Sequence, residues 1–351
     1  MDKGEGQMGR RGLGCSVAMT ALGAAAVVAG CGGVKTHQSG GGSGAKKSGQ
    51  IRLAVVPKAV GFSFWEDAHK GAVCAASKQK DVKVQWDGVS AETNVSGQVD
   101  LLQNFLTSGV DGLVYAATDA KTLSKVTDQA LQKKTPVVNI DSGTDPQPKQ
   151  VPVYATDNVQ AATKVPDILA KKLGSKGGKV AFIPFQAGTV TNDQRTQGFK
   201  QGLKKHPELK LVATQSSQSD VNTALRVTQD ILTAHPDLTA IFAANEPGVI
   251  GAAQAVKQAG KQGKITIVGW DAASDEVKGV QDGEITALVV QNPFRMGYDA
   301  TTAVVGKIRK GTTPKNEDTG VTFVTKANID QPAVQALLKP SCQKPPKLGS
   351  G

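Results

Sequence analysis

Aromatic side chains are scarce in this chain of 351 residues: nine Phe, three Trp and three Tyr, 4% of the total. Histidine and cysteine number four each, and they do not cluster with the spacing of a metal site. No Gly-x-Gly-x-x-Gly follows a predicted strand and no P-loop is present, so the sequence offers no cradle for a nucleotide cofactor. No run of Lys and Arg exceeds two residues. The excess of 41 Lys and Arg over 30 Asp and Glu, a net +11, therefore reads as a solvated basic surface and not as a nucleic-acid site. With 39% hydrophobic and 20% charged residues, the composition fits neither a disordered chain nor an integral membrane protein. What remains is a globular protein long enough for two ordinary domains, with no cofactor and no metal expected.

The first fifty residues bear on the compartment. Arg10 and Arg11 precede an uncharged stretch from Gly12 to Gly30 rich in Ala, Val and Gly, which marks residues 1–30 as a secretory signal. Val28-Ala29-Gly30-Cys31 resembles the lipobox of bacterial lipoproteins, a resemblance that implies lipidation of Cys31 and a chain anchored outside the cytoplasm. An ordinary cleaved signal with an incidental cysteine is the alternative, and Arg10-Arg11 leaves a twin-arginine route open. Residues 31–49 read as a flexible tether: ten of the nineteen residues from Gly32 to Gln50 are Gly or Ser. Such a coil spans about 24 Å on average.

Once Cys15 leaves with the signal and Cys31 carries lipid, only Cys74 and Cys342 remain. Two cysteines in an oxidising compartment can pair. Nothing in the sequence brings the first predicted helix to the C-terminal tail, so two separate thiols, with Cys74 buried like a small hydrophobe, are the default.

Beyond residue 50, short apolar runs alternate with helical-period segments. The runs are 51–57, 82–87, 112–117, 136–141, 151–157, 179–185, 210–215, 240–245, 265–271 and 285–291. Between them lie amphipathic stretches such as 94–109, where Val95, Val99, Leu102 and Leu106 share a face. Continuously apolar strands, each followed by a helix, predict parallel sheets covered on both faces. The series runs twice, giving an α/β chain of two doubly wound domains. In such sheets ligands bind at the carboxyl ends of the strands. Four of those ends finish in hydrogen-bonding groups: Asp141, Asn245, Asp271 and Gln291. Phe62, Phe64 and Trp65 crowd the first strand-to-helix turn, and Trp270 adjoins Asp271. Flat rings beside carboxylates and amides suit the apolar face and the hydroxyls of a sugar. Packing of Phe64 and Trp65 on the first helix is the alternative.

At these residues the chain resembles the ribose-binding class of periplasmic sugar-binding proteins, the solute receptors of ABC importers, over roughly residues 50–330. The segments that carry it are LAVVPKAVGFSFWEDAHKGA, PVVNID, ATDN, AGTVTNDQRTQGF, LTAHPDLTAIFAANE, IVGWDAASDE and LVVQNPFRMG. The resemblance implies a type I periplasmic binding protein fold hinged by three crossings near 156–157, 291–292 and 319–320. Its N-terminal lobe would be 50–156 plus 292–320, its C-terminal lobe 157–291 plus 321–340, and 341–351 a tail. It implies a monomer that hands a sugar to the membrane subunits of an importer. Carried over by position, Phe64 and Trp65 stack on one face of the sugar and Trp270 on the other, while Asp141, Asp271, Asn245, Arg195 and Gln291 bind hydroxyls. Ser142 stands where ribose binders carry an arginine, Phe62 where they carry an asparagine, and Ser219 replaces an aromatic. These departures put ribose itself in doubt. Lys58, just after the first strand, reads as a solvated surface lysine, with a donor role in the site as the alternative.

Other functions fit less well. Asp141 with Asp271 is the only obvious carboxylate pair for glycoside hydrolysis. A repressor of the same fold would need an N-terminal helix-turn-helix where this chain has an export signal. A polyol, a cyclitol or a furanose signal in place of an aldose stays open.

Overall fold

The structure, a computed structural model, describes residues 49–347. The expected signal, the tether up to residue 48, the lipidation site Cys31 and the last four residues of the tail lie outside the described residues. In chain order come β1 (Ile51–Val56), α1 (Ser63–Ser77), β2 (Val82–Trp86), α2 (Val95–Ser108), β3 (Gly112–Tyr115), α3 (Ala120–Gln132), β4 (Val137–Ile140) and β5 (Val153–Ala155). There follow α4 (Asn158–Thr163), α5 (Val165–Leu173), β6 (Gly178–Ile183), α6 (Val190–Leu203), β7 (Leu209–Thr214), α7 (Val221–Ala234), β8 (Ala240–Ala243), α8 (Glu246–Gln258), β9 (Thr266–Trp270), α9 (Ser274–Asp282) and β10 (Ala287–Gln291). The chain closes with α10 (Pro293–Lys310), β11 (Glu317–Asp318), β12 (Val321–Val324) and α11 (Pro332–Leu338). Helix starts are written locally: Asn94, Asp119, Asp157, Thr189, Asp220 and Asn245 each accept a backbone N–H of their own first turn.

The strands form two six-stranded sheets, ordered β11-β5-β4-β3-β1-β2 and β12-β10-β9-β8-β6-β7. Every pairing is parallel except β10 with β12. The fold is thus α/β with two parallel-dominated sheets, and the antiparallel edge has a topological cause. The chain leaves β11 at the carboxyl end of the first sheet and enters the second from its carboxyl end, so β12 can only run backwards. Each sheet is buried on both faces by apolar clusters, for example Leu53, Val55, Val114 and Met296 in the first and Phe182, Phe199 and Phe242 in the second. Helix α1 is fixed on α10 by close approach at Gly71 and Gly297, where a Cβ would lie 2.0 Å from a backbone oxygen of the facing helix.

Three segments pass between the sheet layers: 156–157, Asn292 and 319–320. They are tied together by the N–H of Thr319 to the carbonyl of Ala155 (2.9 Å), by Thr156 Oγ1 to that of Gly320 (3.3 Å) and by the N–H of Asp157 to Asp318 Oδ1 (3.2 Å). Cys74 on α1 and Cys342 beyond α11 are joined in a disulfide, with Cα atoms 5.5 Å apart, in place of the two separate thiols taken as the default.

Candidate functional site

The carboxyl ends of both sheets face one cleft. The ends of β1, β4, β9 and β10 bring Lys58, Asp141, Asp271 and Gln291 to it, α1 brings Phe64 and Trp65, and Asn245 enters as the cap of α8. Asp141 and Asp271 hold φ of 56° and 84°, in the left-handed region. Their N–H groups are pinned to the carbonyls of Tyr154 (2.9 Å) and Val289 (3.0 Å). A non-glycine residue in such a conformation costs of order 1–3 kcal/mol and persists only where its surroundings enforce it, as functional sites do. The cavity enclosed between the lining residues is small, about 30 Å³, room for about two water molecules.

Lys58 is not a solvated lysine. It is 3% exposed, its Nζ lies 2.8 Å from Asp141 Oδ2 and donates to Thr191 Oγ1 at 3.0 Å, and it stands over the rings of Trp65 and Phe185. The solvated reading fails because β1 is buried to its last residue, and the turn after it delivers Lys58 inward beside an anion that compensates its charge. Arg195 is equally buried. Its Nε donates to Asn158 Oδ1 (2.8 Å), one terminal nitrogen to the carbonyl of Ala244 (2.7 Å), and the other lies 3.7 Å from Asp141 Oδ1. Burial pulls its pKa down, opposed by the charges of Asp271, Asp141 and Glu92.

Trp270 is wholly buried, and the guanidinium of Arg195 lies 4.2 Å over its ring. Arg195 lines the cleft and Trp270 does not. In this structure the Trp270 ring is a platform beneath the arginine. Ser142 is buried without lining the cleft, and its hydroxyl makes no hydrogen bond. Of the other residues named from sequence, the structure brings Phe64, Trp65, Asp141, Arg195, Asn245, Asp271 and Gln291 to one cleft.

Two hydrogen-bond chains organise the polar groups. Gln291 Nε2 donates to Asp271 Oδ1 at 2.7 Å, and the N–H of Glu246 donates to Asp271 Oδ2 at 3.2 Å. Burial pushes the Asp271 carboxyl up, while Arg195 and then Gln291 hold it back. In the second chain Asn245 Nδ2 donates to Ser219 Oγ (3.0 Å), which donates to Glu92 Oε2 (2.5 Å). Two buried acceptors on the cleft stay outside hydrogen-bond geometry: Gln291 Oε1, and Asp141 Oδ2, which meets Lys58 only as an ion pair. Buried polar atoms are ordinarily satisfied, so these two point to a ligand that donates.

Sequence reasoning missed Glu92, Phe185 and Glu246. All follow strands β2, β6 and β8, so the strand-end rule that found Asp141 covers them too. Among the described residues no group of three or more His, Cys, Asp or Glu is arranged to hold a metal, and no helix is long and apolar enough to cross a membrane.

Comparison with known proteins agrees with this geometry. The chain is 33% identical over 281 residues to a D-ribose/D-allose-binding protein of Pseudomonas aeruginosa, covering 77% of this chain and 86% of that one. Among solved structures, an ABC transporter solute-binding protein from Agrobacterium vitis with bound D-fucose superposes with a TM-score of 0.78 at 35% identity, over 82% of this chain and 100% of that one. A carbohydrate transporter solute-binding protein from Agrobacterium radiobacter in complex with D-arabinose gives 0.79 at 32% identity, over 84% of this chain and 100% of that one. Residues 53–312 match the model of the periplasmic binding protein domain. With its two sheets, its three crossings and its polar cleft between them, the chain belongs to the periplasmic binding protein family.

Proposed function

We propose that this protein is the extracytoplasmic receptor of an ABC importer, capturing one small sugar between the halves 50–156 plus 292–320 and 157–291 plus 321–340 as they close about the three crossings. The observation that carries this reading is the pair of buried acceptors, Asp141 Oδ2 and Gln291 Oε1, opening on a cleft that also bears the rings of Phe64 and Trp65. Hydroxyls satisfy the acceptors while a C–H face covers the rings. A small ligand has few atoms, so useful affinity requires most of its polar groups to be paired with water expelled, which is what closure supplies.

The protein binds its ligand unchanged. Asp141 is paired with Lys58, and Asp271 accepts from Gln291 and a backbone N–H, an arrangement that suits holding hydroxyls better than supplying an acid and a base to a glycosidic bond. It acts as a monomer, needs no cofactor and is held at the membrane through lipid on Cys31.

A thermal-shift panel of D-ribose, D-allose, D-fucose, D-arabinose and xylitol tests the reading. A ligand at 100 times its Kd adds about 2.7 kcal/mol, an easily read rise in Tm. The reading predicts such a rise with at least one member. A flat response across the panel rejects it.

A further inference from the structure

The disulfide makes a fourth connection between the two halves. Cys74 belongs to α1, which packs with β1, β3 and α10 against the first sheet. Cys342 follows α11, which belongs to the second: Val334 shares a core with Val290, Val324 and Ile329, and Gln335 Nε2 donates to the carbonyl of Ile329 at 2.8 Å. The four residues after Leu338 therefore cross from one half to the other and end in a covalent bond.

The position of this crossing gives it a mechanical role. Leu338 shares a small cavity with Ser63, Phe64 and Asp67, at the end of α1 that opens on the ligand cleft. From Asp67 to Cys74 the helix rises about 10 Å, at 1.5 Å per residue. Four extended residues reach at most about 14 Å, and the cysteine Cα atoms are 5.5 Å apart. Leu338 can thus never be more than about 19 Å from Cys74, however the halves rotate. Parting the cleft draws Leu338 away from the start of α1, about 10 Å from Cys74, so the link goes taut after about 9 Å of further separation and stops a wider opening. Further along, Asn292 Nδ2 donates to the carbonyl of Lys347 at 2.9 Å, which ties the rest of the tail to the second crossing.

We infer that Cys74 and Cys342 are positioning residues for ligand capture: their bond is a strap that limits how far the cleft opens and so keeps the ligand-free protein close to its binding geometry. The inference rests on the hinge-closure reading but not on the identity of the sugar. Restricting the open ensemble lowers the entropy lost on closing, the same physics by which a cross-link acts on an unfolded chain.

The test needs no ligand. Small-angle scattering is compared for the oxidised protein, the protein reduced with TCEP, and Cys342→Ser, each checked for an intact thermal transition. If the serine variant does not fold, the reduced wild type carries the comparison. Cutting the strap should raise the radius of gyration by about 1 Å on a base of about 19 Å for a folded part of about 300 residues. A radius equal in all forms and larger than that of the structure overturns the strap and leaves the hinge standing. A radius equal in all forms and matching the structure overturns both. A sugar that stabilises the oxidised protein should lose several-fold in affinity when the bond is cut, through faster release, while the radius of the saturated complex stays the same.

Discussion

The carboxylate of Glu246 caps the helix that begins at Ser63: its Oε2 accepts the backbone N–H of Phe64 at 3.0 Å, and its Oε1 that of Ser63 at the same distance. Phe62, the residue that precedes α1, supplies no side-chain cap of its own. The free N–H groups that begin a helix are therefore satisfied across the cleft, by a residue that itself begins α8 after the second sheet's β8. Ser219 to Glu92 is the reverse arrangement, with the carboxylate on the first half and the donor on the second. Both contacts exist only while the halves are together, and both lie beside the ligand cleft.

The first prediction is a pH dependence. Burial pushes the Glu246 carboxyl up to about 7 in the closed form, against the lowering effect of the Phe64 N–H, with Asp271 and then Asp67 adding to the rise. The neighbouring Glu276 of α9 is likewise raised by burial, and so is Asp271, against the opposing charge of Arg195. Opening returns water to Glu246 and its pKa to the ordinary carboxyl range, so closure takes up a proton. The closed form is then favoured at low pH and loses that advantage as pH rises through about 7. Calorimetry of the sugar that responds in the panel should give tighter binding at pH 5.5 than at pH 8, and Glu246→Gln should flatten the slope near 7. An unchanged slope in the variant removes Glu246 from the linkage.

Lys58 offers a second test because its partner is known. Lys58→Met keeps the stem and removes the charge, leaving the Asp141 carboxylate buried with only Arg195 at 3.7 Å. Breaking one side of a buried pair costs about 3–5 kcal/mol. Tm should fall by several degrees and sugar affinity by more than tenfold. Adding Asp141→Asn should recover much of the stability and little of the affinity, since the pair is then neutral but the site has lost both groups. Recovery of full affinity in the double variant would take both residues out of the site.

For Asp271 the expectation is simpler. It is the acceptor that holds Gln291, and truncating one partner of a charge-assisted bond costs about 1.5–3 kcal/mol, roughly ten- to a hundredfold in Kd. Asp271→Ala should weaken binding by at least tenfold with the circular dichroism of the fold retained.

How much of this was legible in the sequence follows from which forces act locally. Strand and helix positions announce themselves through periodicity and caps, so the alternation from Ile51 to Gln291 was readable, and the ends of strands pointed to Asp141 and Asp271. Burial of charge is different, because it depends on a partner brought from elsewhere. Lys58 and Asp141 are 83 residues apart in the sequence and meet only because β1 and β4 flank β3 in one sheet. The setting of Trp270 was hidden for the same reason: its neighbour in sequence faces the cleft, but the guanidinium that covers its ring arrives from α6. Cys74 and Cys342 meet through the fold of the C-terminal tail, which has no periodic signal to read.

Anchoring is tested at Cys31. Cys31→Ser should release mature protein from the membrane fraction or leave the chain unprocessed on an immunoblot of fractionated cells. Mature, membrane-bound material in the variant would rule out lipid on this residue.

The last prediction concerns fluorescence, and the structure changes what the sequence led us to expect of it. The family resemblance sets Trp65 and Trp270 on opposite faces of a ligand. Trp270, however, is covered by Arg195, and both belong to the second half, through β9 and α6, so opening leaves the ring buried. Trp86 stacks on His69 with ring centroids 4.4 Å apart, and both belong to the first half. Trp65 alone lines the cleft, 2% exposed, beside Lys58 of its own half and among residues such as Phe185 and Asn245 of the other. Opening removes that second set of neighbours and admits water to the indole. Titration with a binding sugar should shift tryptophan emission saturably, at one site per chain. Trp65→Phe should abolish most of the change while keeping a ring on the cleft, and Trp270→Phe should preserve it. If the signal is instead lost with Trp270→Phe, then Arg195 leaves its platform during binding and the arginine, not the cleft mouth, is the part that moves.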